Sequence, residues 1–412
     1  MNFRTAEKYL LSLGNEVEAM KLGLENIRTL LAEIGKPQKQ YLKVQIAGTN
    51  GKGSVCAFLG AMTRAAGIRT GVFTSPHLVS MTERIDIGGE NISEDEFARV
   101  AGEVREAAES LLERKAVGYR PTYFEQVTAI ALKYFAEQKI ELAILETGMG
   151  GRFDATTAAN AEIAVITAIG LDHQQYLGET IEQIAGEKAA IIGPQTTAAI
   201  TQPQRPESVF SIIAKRAEME DVPLIVAGPL EDETEVGLAG RHQRQNGALA
   251  AAAARELRRY FPISEDQIGK GLRDARHPGR LETVGGILLD GAHNADGAKA
   301  LARHLSEHFA GQRTALVFGA MRDKDVREMA EILFPLAETV IWTQPANSRS
   351  LAFGDLPKEV AVRFRDKLID ISDSVAAIRK AREIAGDGGA AVVGGSLYLV
   401  GEARSALMQG GV

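Results

Sequence analysis

The sequence has a single cysteine, Cys56, which excludes an intrachain disulfide framework and a cysteine-cluster metal site. The thiol follows a glycine-rich turn on an expected helix, where it reads as a small buried hydrophobe. Net positive charge is also missing. The 47 Lys and Arg against 54 Asp and Glu leave a formal charge of -7, which disfavours non-specific nucleic-acid binding. An anionic ligand must therefore be drawn by local basic groups. No apolar run is long enough to span a bilayer, and "MNFRTAEKYLLSLG" lacks the basic-then-apolar layout of a secretion signal. A cytoplasmic protein with neither membrane nor nucleic-acid partners is expected. No fixed-period repeat or low-complexity tract is visible, and 412 residues bound the chain at one very large domain or two.

What is present is alternation. "LKVQIAG" reads as a strand and "KGSVCAFLGAMTRAAG" as the helix after it. "RTGVFTS", "IELAILETG" and "AEIAVITAIG" are further strands of buried type. "SEDEFARVAGEVREAAESLLERK" is a helix with Ser93 as N-cap, and "TYFEQVTAIALKYFAEQ" is another. This pattern predicts a doubly wound, mostly parallel α/β domain. A second series of strands and helices starts near Gly285, after the Pro- and Gly-rich "ARHPGRLETVGG", and predicts a smaller Rossmann-like α/β domain. The division is expected at 1–282 and 283–412.

The segment "VQIAGTNGKGSVCAF" resembles a phosphate-binding loop but departs from the usual spacing. Lys52 follows Gly48 by four positions, and Gly53 stands where a metal-binding hydroxyl is usual. A strand, then Thr49, Asn50, Gly51 and Lys52, then a helix would aim backbone N–H groups at an anion, with Lys52 as the point charge. The plain alternative is a glycine-rich turn with a solvated lysine. Ser75 in "VFTSPHL" follows the next strand, Glu146 ends another, and His173 in "IGLDHQQYLG" follows a third. Ligands gather at such strand ends. Ser75, Glu146 and His173 are thus candidate metal ligands, with oxygen donors suited to Mg²⁺. Each is also compatible with a turn, a lone carboxylate or a structural histidine. Lys188, on the apolar helix of "TIEQIAGEKAAII", reads first as a lysine that snorkels or pairs with Glu187 or a helical neighbour.

Ten segments in order resemble one family. They are "AGTNGKGS", "TSPHL", "ERIDIGGENIS", "TYFEQVTA", "LETGMGGRFDAT", "LDHQQYLGETIEQIAGEKAAI", "GRHQRQN", "PGRLE", "LLDGAHN" and "GSLYLVGEAR". Together they are similar to the folylpolyglutamate synthase/dihydrofolate synthase family of the Mur ligase superfamily. The resemblance implies an ATP-binding first domain of the Mur central type that also holds the pterin pocket, and a second domain that binds glutamate. It implies that Thr49, Asn50, Gly51, Lys52, Gly53 and Ser54 hold ATP, with adenine and phosphate contacts from Asn246, Arg280 and Asp290. Asn246 and Gln243 are three apart on one helix and share a face. It also implies two metal sites built by Ser75, Glu146 and His173. There Lys188, carbamylated by CO₂, helps hold the second metal.

The pterin side would use Thr122, Tyr123, Phe124 and Glu125 with Phe153, Asp154 and Ala155, and glutamate would meet His293 and Ser396. The reaction implied is ATP-dependent addition of L-glutamate to a folate or dihydropteroate through an acyl phosphate, by a monomer, with Lys52, Lys188 and His293 as the chemical residues. The family usually has Asn where Thr157 stands, often Trp at His277 and Pro at Ala295. Two rivals are another Mur-type amino-acid ligase and a P-loop nucleotide-binding protein without ligase activity. The 47 residues before Gly48 are too few for the UDP-binding domain of peptidoglycan-precursor ligases. The joint presence of Lys52, Glu146, His173 and Lys188 argues against the second rival.

Overall fold

The computed structural model describes residues 1–14 and 23–411. Contacts along the chain divide it into two units. The first comprises residues 1–237 and 244–276, and the second 238–243 and 277–412. The helix His242–Glu256 therefore crosses the division near its first turn. The Pro- and Gly-rich segment belongs to the second unit because its own bonds tie it there. Glu282 pairs with Arg404 at 3.1 Å, and the Leu281 N–H donates to Asp290.

The first unit carries an eight-stranded sheet. Its strands are β1 Leu42–Ala47, β2 Thr70–Phe73, β3 Ile85–Ile87, β4 Glu90–Asn91, β5 Leu142–Glu146, β6 Ile163–Ile166, β7 Ala198–Thr201 and β8 Leu224–Val226, in the order β4-β3-β2-β5-β1-β6-β7-β8. All neighbours from β2 to β8 run parallel; only β3 and β4 are antiparallel additions at one edge. The parallel strands are buried apolar runs, as a sheet covered on both faces requires. Helices Phe3–Ser12, Glu25–Glu33, Glu94–Glu113 and Tyr123–Glu137 share one core cluster with Phe73, Ala143 and Leu145. Helices Ile181–Ala189 and Glu207–Met219 join a second with Ala47, Ala164 and Ala199. Ser93 does cap its helix, accepting the N–H of Glu96 at 3.2 Å.

The second unit has a six-stranded sheet of β9 Glu282–Val284, β10 Ile287–Leu289, β11 Thr314–Phe318, β12 Thr339–Trp342, β13 Leu368–Asp370 and β14 Ala390–Gly394. Their order is β13-β12-β11-β14-β10-β9, antiparallel only at β9. Its core centres on Phe318, Phe334 and Trp342, whose rings meet Phe318 at 5.2 and 5.7 Å. The Trp342 indole N–H is satisfied by the Leu351 carbonyl at 3.2 Å. Both units are thus the mixed, largely parallel α/β sheets expected. In each, the C-terminal ends of the parallel strands share one edge.

Candidate active site

The register pairs Ile46 of β1 with Glu146 of β5 and Ala47 with Ile166 of β6, so the loop after β1 emerges between the ends of two neighbours. It runs Gly48 to Gly51 and opens the helix Lys52–Ala65. The segment after β6 braces it. The N–H groups of Thr49 and Asn50 donate to the Ala168 carbonyl at 2.9 and 3.2 Å. The Thr167 hydroxyl donates to the Asn50 carbonyl at 2.8 Å, and Thr49 Oγ1 both donates to the Gly170 carbonyl and accepts its N–H. Gly51 has φ +94°, and a side chain there would collide with Asn246 Oδ1; one at Gly48 would collide with the Thr167 hydroxyl. The glycines are therefore required by close approach as well as by φ. The helix start leaves its first-turn N–H groups without intrahelical acceptors. Lys52 folds back over the loop, donating to the carbonyls of Gly48 (3.1 Å) and Thr49 (3.3 Å). Ser54 is buried.

Ser75 lies two residues beyond β2, and its backbone N–H donates to Glu146 Oε2 at 3.0 Å. Glu146 is the last residue of β5 and is buried. The Ser75 hydroxyl has no partner among the described residues, and the backbone bond ties its residue to the Glu146 carboxylate. His173 caps a short helix in the left-handed conformation, φ +50°, and its N–H donates to Asp172 at 2.8 Å. Lys188 does not snorkel. It is 4% exposed, and its Nζ donates to the Gly48 carbonyl at 3.0 Å, while Glu187 pairs with Arg152 at 2.8 Å. Burial, then the Lys52 ammonium, pull the Lys188 amine down to about 7, against the opposing pull of Asp172 and Asp154. Among the described residues no three acidic, His or Cys side chains gather as a metal cluster. Mg²⁺ does not need one: it keeps several waters and takes the rest of its shell from one or two carboxylates and substrate phosphates. A serine hydroxyl beside a single carboxylate fits that chemistry.

The residues assigned to the pterin side mix two roles. Thr122 and Glu125 form a capping box on the helix Tyr123–Glu137: Glu125 Oε2 accepts the Thr122 N–H at 2.7 Å and Thr122 Oγ1 the Glu125 N–H at 3.3 Å. Asp154 is likewise engaged. It accepts from the Met149 N–H and from the N–H and hydroxyl of Thr156, folding the "GMGGRFDAT" loop, while burial pushes its carboxyl up. Phe124 packs on Phe73 with centroids 6.0 Å apart, Tyr123 and Ala155 are buried, and Phe153 is 40% exposed. The Thr157 hydroxyl, at the position usually Asn, is used by Gln45 Nε2 (2.8 Å) and the Gly151 carbonyl (2.7 Å).

In the second unit Asp290 follows β10 and is buried. Its two oxygens accept the N–H groups of Leu281 (2.9 Å) and Ala292 (3.0 Å); burial raises its carboxyl and Arg280 opposes this. Arg280 donates to the Gly291 carbonyl at 3.3 Å. Burial and the same guanidinium hold His277 well below the usual imidazole range. His293 Nδ1 lies 2.8 Å from the Gly291 carbonyl. A carbonyl can only accept, so Nδ1 carries a proton. Ser396 caps the helix Leu397–Met408, accepting the Tyr398 N–H at 3.1 Å.

Two contributors were not singled out from sequence. Thr167 is legible in retrospect as a polar residue ending an apolar strand. His77, in "TSPHL", accepts the Arg84 Nε–H at Nδ1 (2.8 Å), and burial and then the Arg84 charge hold its ring down to about 3.

Known proteins share this arrangement. Residues 46–232 match the Mur ligase middle domain, and residues 279–397 the Mur ligase, glutamate ligase domain. The chain is 35% identical to the Bacillus subtilis dihydrofolate synthase/folylpolyglutamate synthase over 94% of its own length and 95% of that protein. The Mycobacterium tuberculosis folylpolyglutamate synthase complexed with ADP superposes with a TM-score of 0.89 at 30% identity, covering 98% of both chains. The Yersinia pestis bifunctional folylpolyglutamate synthase/dihydrofolate synthase complexed with AMPPNP and Mn ion gives 0.85 at 28% identity, over 99% of this chain and 98% of that one. With nearly its full length matched at this identity, the chain belongs to the folylpolyglutamate synthase/dihydrofolate synthase family of Mur ligases.

Proposed function

We propose that this protein is an ATP-dependent ligase that joins the amine of L-glutamate to a carboxyl group of dihydropteroate or a folate through an acyl phosphate. The observation that carries the reading is the convergence on one loop carbonyl, Gly48, of Lys52 and the buried amine of Lys188. At the end of the neighbouring strands, the backbone N–H of Ser75 bonds the Glu146 carboxylate. The relatives crystallised with ADP and with AMPPNP and Mn ion support a nucleotide and divalent-cation chemistry here. The glutamate-ligase match of residues 279–397 supports the second substrate.

Lys52 would leave the loop carbonyls for the terminal phosphates, with the first-turn N–H groups of its helix beside it. Ser75 and Glu146 would hold Mg²⁺, with His173 and Lys188 toward a second ion; bound there, the metal neutralises charge on the phosphates. A Lys188 amine poised near neutrality is largely uncharged above pH 7, the form that takes up CO₂ to become a carbamate anion. Catalysis of the first half is positioning and charge neutralisation, with no protein nucleophile. In the second half His293 would meet the incoming glutamate. Arg280 and Asp290 are assigned to the nucleotide, Asp290 through the loops it braces rather than by direct contact. Ser396 acts through the helix it caps.

Purified protein with ATP and glutamate, offered dihydropteroate and tetrahydrofolate in parallel, tests this. The expected product carries one added glutamyl residue, and substrate carboxylate labelled with ¹⁸O delivers one labelled oxygen to the released phosphate. Phosphate release with neither acid, or product without label transfer, would overturn the reading.

A further inference from the structure

The second unit carries a histidine pair that the ligase chemistry does not use. His304 and His308 lie on the helix Ala295–His308 at positions i and i+4, a spacing that puts both side chains on one face, one turn apart. Their ring centroids are 4.4 Å apart, with the planes at 45°. His304 is half-buried and His308 exposed. The Nδ1 of His304 is out of reach of solvent and has no hydrogen-bond partner among the described residues. Glu307, the acidic neighbour on the same helix, is drawn off to Arg241 at 2.9 Å. Burial, then the charge of His308, hold the His304 ring below the usual imidazole range, against the pull of Glu307. The proton therefore competes weakly for a lone pair on His304.

The separation of the rings is the one a shared cation needs. A metal–nitrogen bond of about 2.0–2.1 Å puts the centroid of a bound imidazole about 3.2 Å from the ion. Two rings at right angles around it then have centroids about 4.5 Å apart, and two at the tetrahedral angle about 5.2 Å. The 4.4 Å found matches the right-angled pair, which belongs to the tetragonal shells of Cu²⁺ and Ni²⁺ rather than to tetrahedral Zn²⁺. Two nitrogen donors do not suit Mg²⁺, which takes oxygen. His308 is the last residue of its helix, where the terminal carbonyls favour positive charge. No third His, Cys or acidic side chain joins the pair among the described residues, so water fills the other positions.

We propose that His304 and His308 form a two-imidazole chelate for a late first-row divalent cation, Cu²⁺ above all. One nitrogen of each ring binds, and water completes the shell. The site stands apart from the glutamate side: along the helix axis His304 is roughly 15 Å from Asn294, the cap that follows His293. It needs neither nucleotide nor acid substrate, and holds whether or not the ligase reading does. The two rings meet across a formed helical turn, so the cation binds the native chain more tightly than the unfolded one and stabilises the fold.

The probe is Cu²⁺ alone, titrated into full-length protein that carries no histidine tag, with Mg²⁺ in excess. Chelation makes the second bond intramolecular, so His304→Gln and His308→Gln should each weaken the tightest Cu²⁺ site on the order of 10²-fold. The double variant should be little worse than either single, because one lost imidazole already ends the chelate. His308→Gln should leave kcat and KM for ATP within about twofold, as for a surface substitution. Equal affinity in wild type and variants would overturn the proposal. So would small losses that add in the double variant, the mark of two independent histidines. A measurement on the unsubstituted chain does not depend on any variant folding. With ¹⁵N-histidine label, substoichiometric Cu²⁺ should broaden the signals of His304 and His308 together, ahead of the other histidines. First broadening at another histidine, or at only one of the pair, would refute the chelate.

Discussion

The loops that follow β1 and β10 start alike, each leaving a buried parallel strand toward a helix, and are held in opposite ways. The β1 loop is braced from outside, by Ala168, Thr167 and Gly170, and two lysine amines, Lys52 beside it and Lys188 from a distant helix, lie on its carbonyls. The β10 loop is braced from within: Asp290 spends both oxygens on backbone N–H groups, and His293 and Arg280 bond the Gly291 carbonyl. The first can release Lys52 to a ligand without losing its shape. The second keeps its shape only while its charged residue stays put. Charge is thus mobile in one loop and structural in the other.

The strongest way to break this contrast is Lys52→Ala. It should lower kcat about 10²-fold or more, the usual loss for a preorganised charge-stabilising contact. Thermal unfolding should be nearly unchanged, because outside braces hold the loop. A large drop in Tm would mean the lysine is structural after all. Next is Lys188→Ala, expected to lose most activity and to regain part when a short-chain carboxylic acid is added in the assay. Lys188→Arg leaves a bulky cation beside Lys52 and should not respond to the acid. Absence of rescue in Lys188→Ala would leave the amine as a packing group.

Ser75→Ala should raise the Mg²⁺ concentration needed for half-maximal rate about tenfold, the scale on which lost metal-site contacts are felt. Ser54→Ala, on the helix behind the loop, should change it little. The reverse order would move the metal hydroxyl. Asp290→Asn sharpens the other side of the comparison. An amide cannot accept from both Leu281 and Ala292 with two oxygens, so one buried N–H loses its partner, at about 1–3 kcal/mol in urea unfolding. No change in stability would contradict the inside bracing.

A more gradual effect is one of pH. With its folded pKa at about 7 against 10.5 as the reference, Lys188 is neutral in the fold while protonated in the unfolded chain between those values. The unfolded state then holds the extra proton, so stability of the ligand-free protein rises with pH from about 7 to 10.5, by at most about 1.4 kcal/mol per unit. Urea unfolding of wild type and Lys188→Met at pH 7, 8 and 9 isolates the term from Cys56, whose raised thiol acts in the opposite sense. Equal slopes in the two proteins would refute the buried amine.

Much of this architecture was legible. Buried parallel strands are continuous apolar runs, and β1, β5, β6, β11 and β14 announce themselves that way. The short members β3, β4, β8, β9 and β13 do not, because edge strands of two or three residues carry no pattern and are defined by their partners. The strand-and-turn pattern placed Ser75 and Glu146 at strand ends, where they stand, whereas His173 lies well beyond β6 as the N-cap of the helix Gln174–Leu177. Sequence could not show that Lys188 bonds a loop carbonyl 140 residues away. Nor could it show which polar residues near the pterin side are occupied as caps. The T-x-x-E spacing of Thr122 and Glu125 carried the capping signal, but resemblance to a family spoke first. His77 lay in view inside a quoted motif, and its tautomer became readable only with Arg84 beside it.

One consequence follows from the Gly48 carbonyl, which takes hydrogen bonds from two amines at once. A ligand arriving at the loop does not find a waiting charge; it must outbid a carbonyl for Lys52. Neutral oxygens offer no better bond than the one given up, so exchange with them is nearly even. Phosphate oxygens add the attraction of an opposite charge to the ammonium, and anionic oxygens make the exchange favourable. The loop's own backbone therefore acts as a competitor that discriminates by charge. It lowers affinity for every ligand that recruits Lys52, and leaves a neutral oxygen no net gain from taking it.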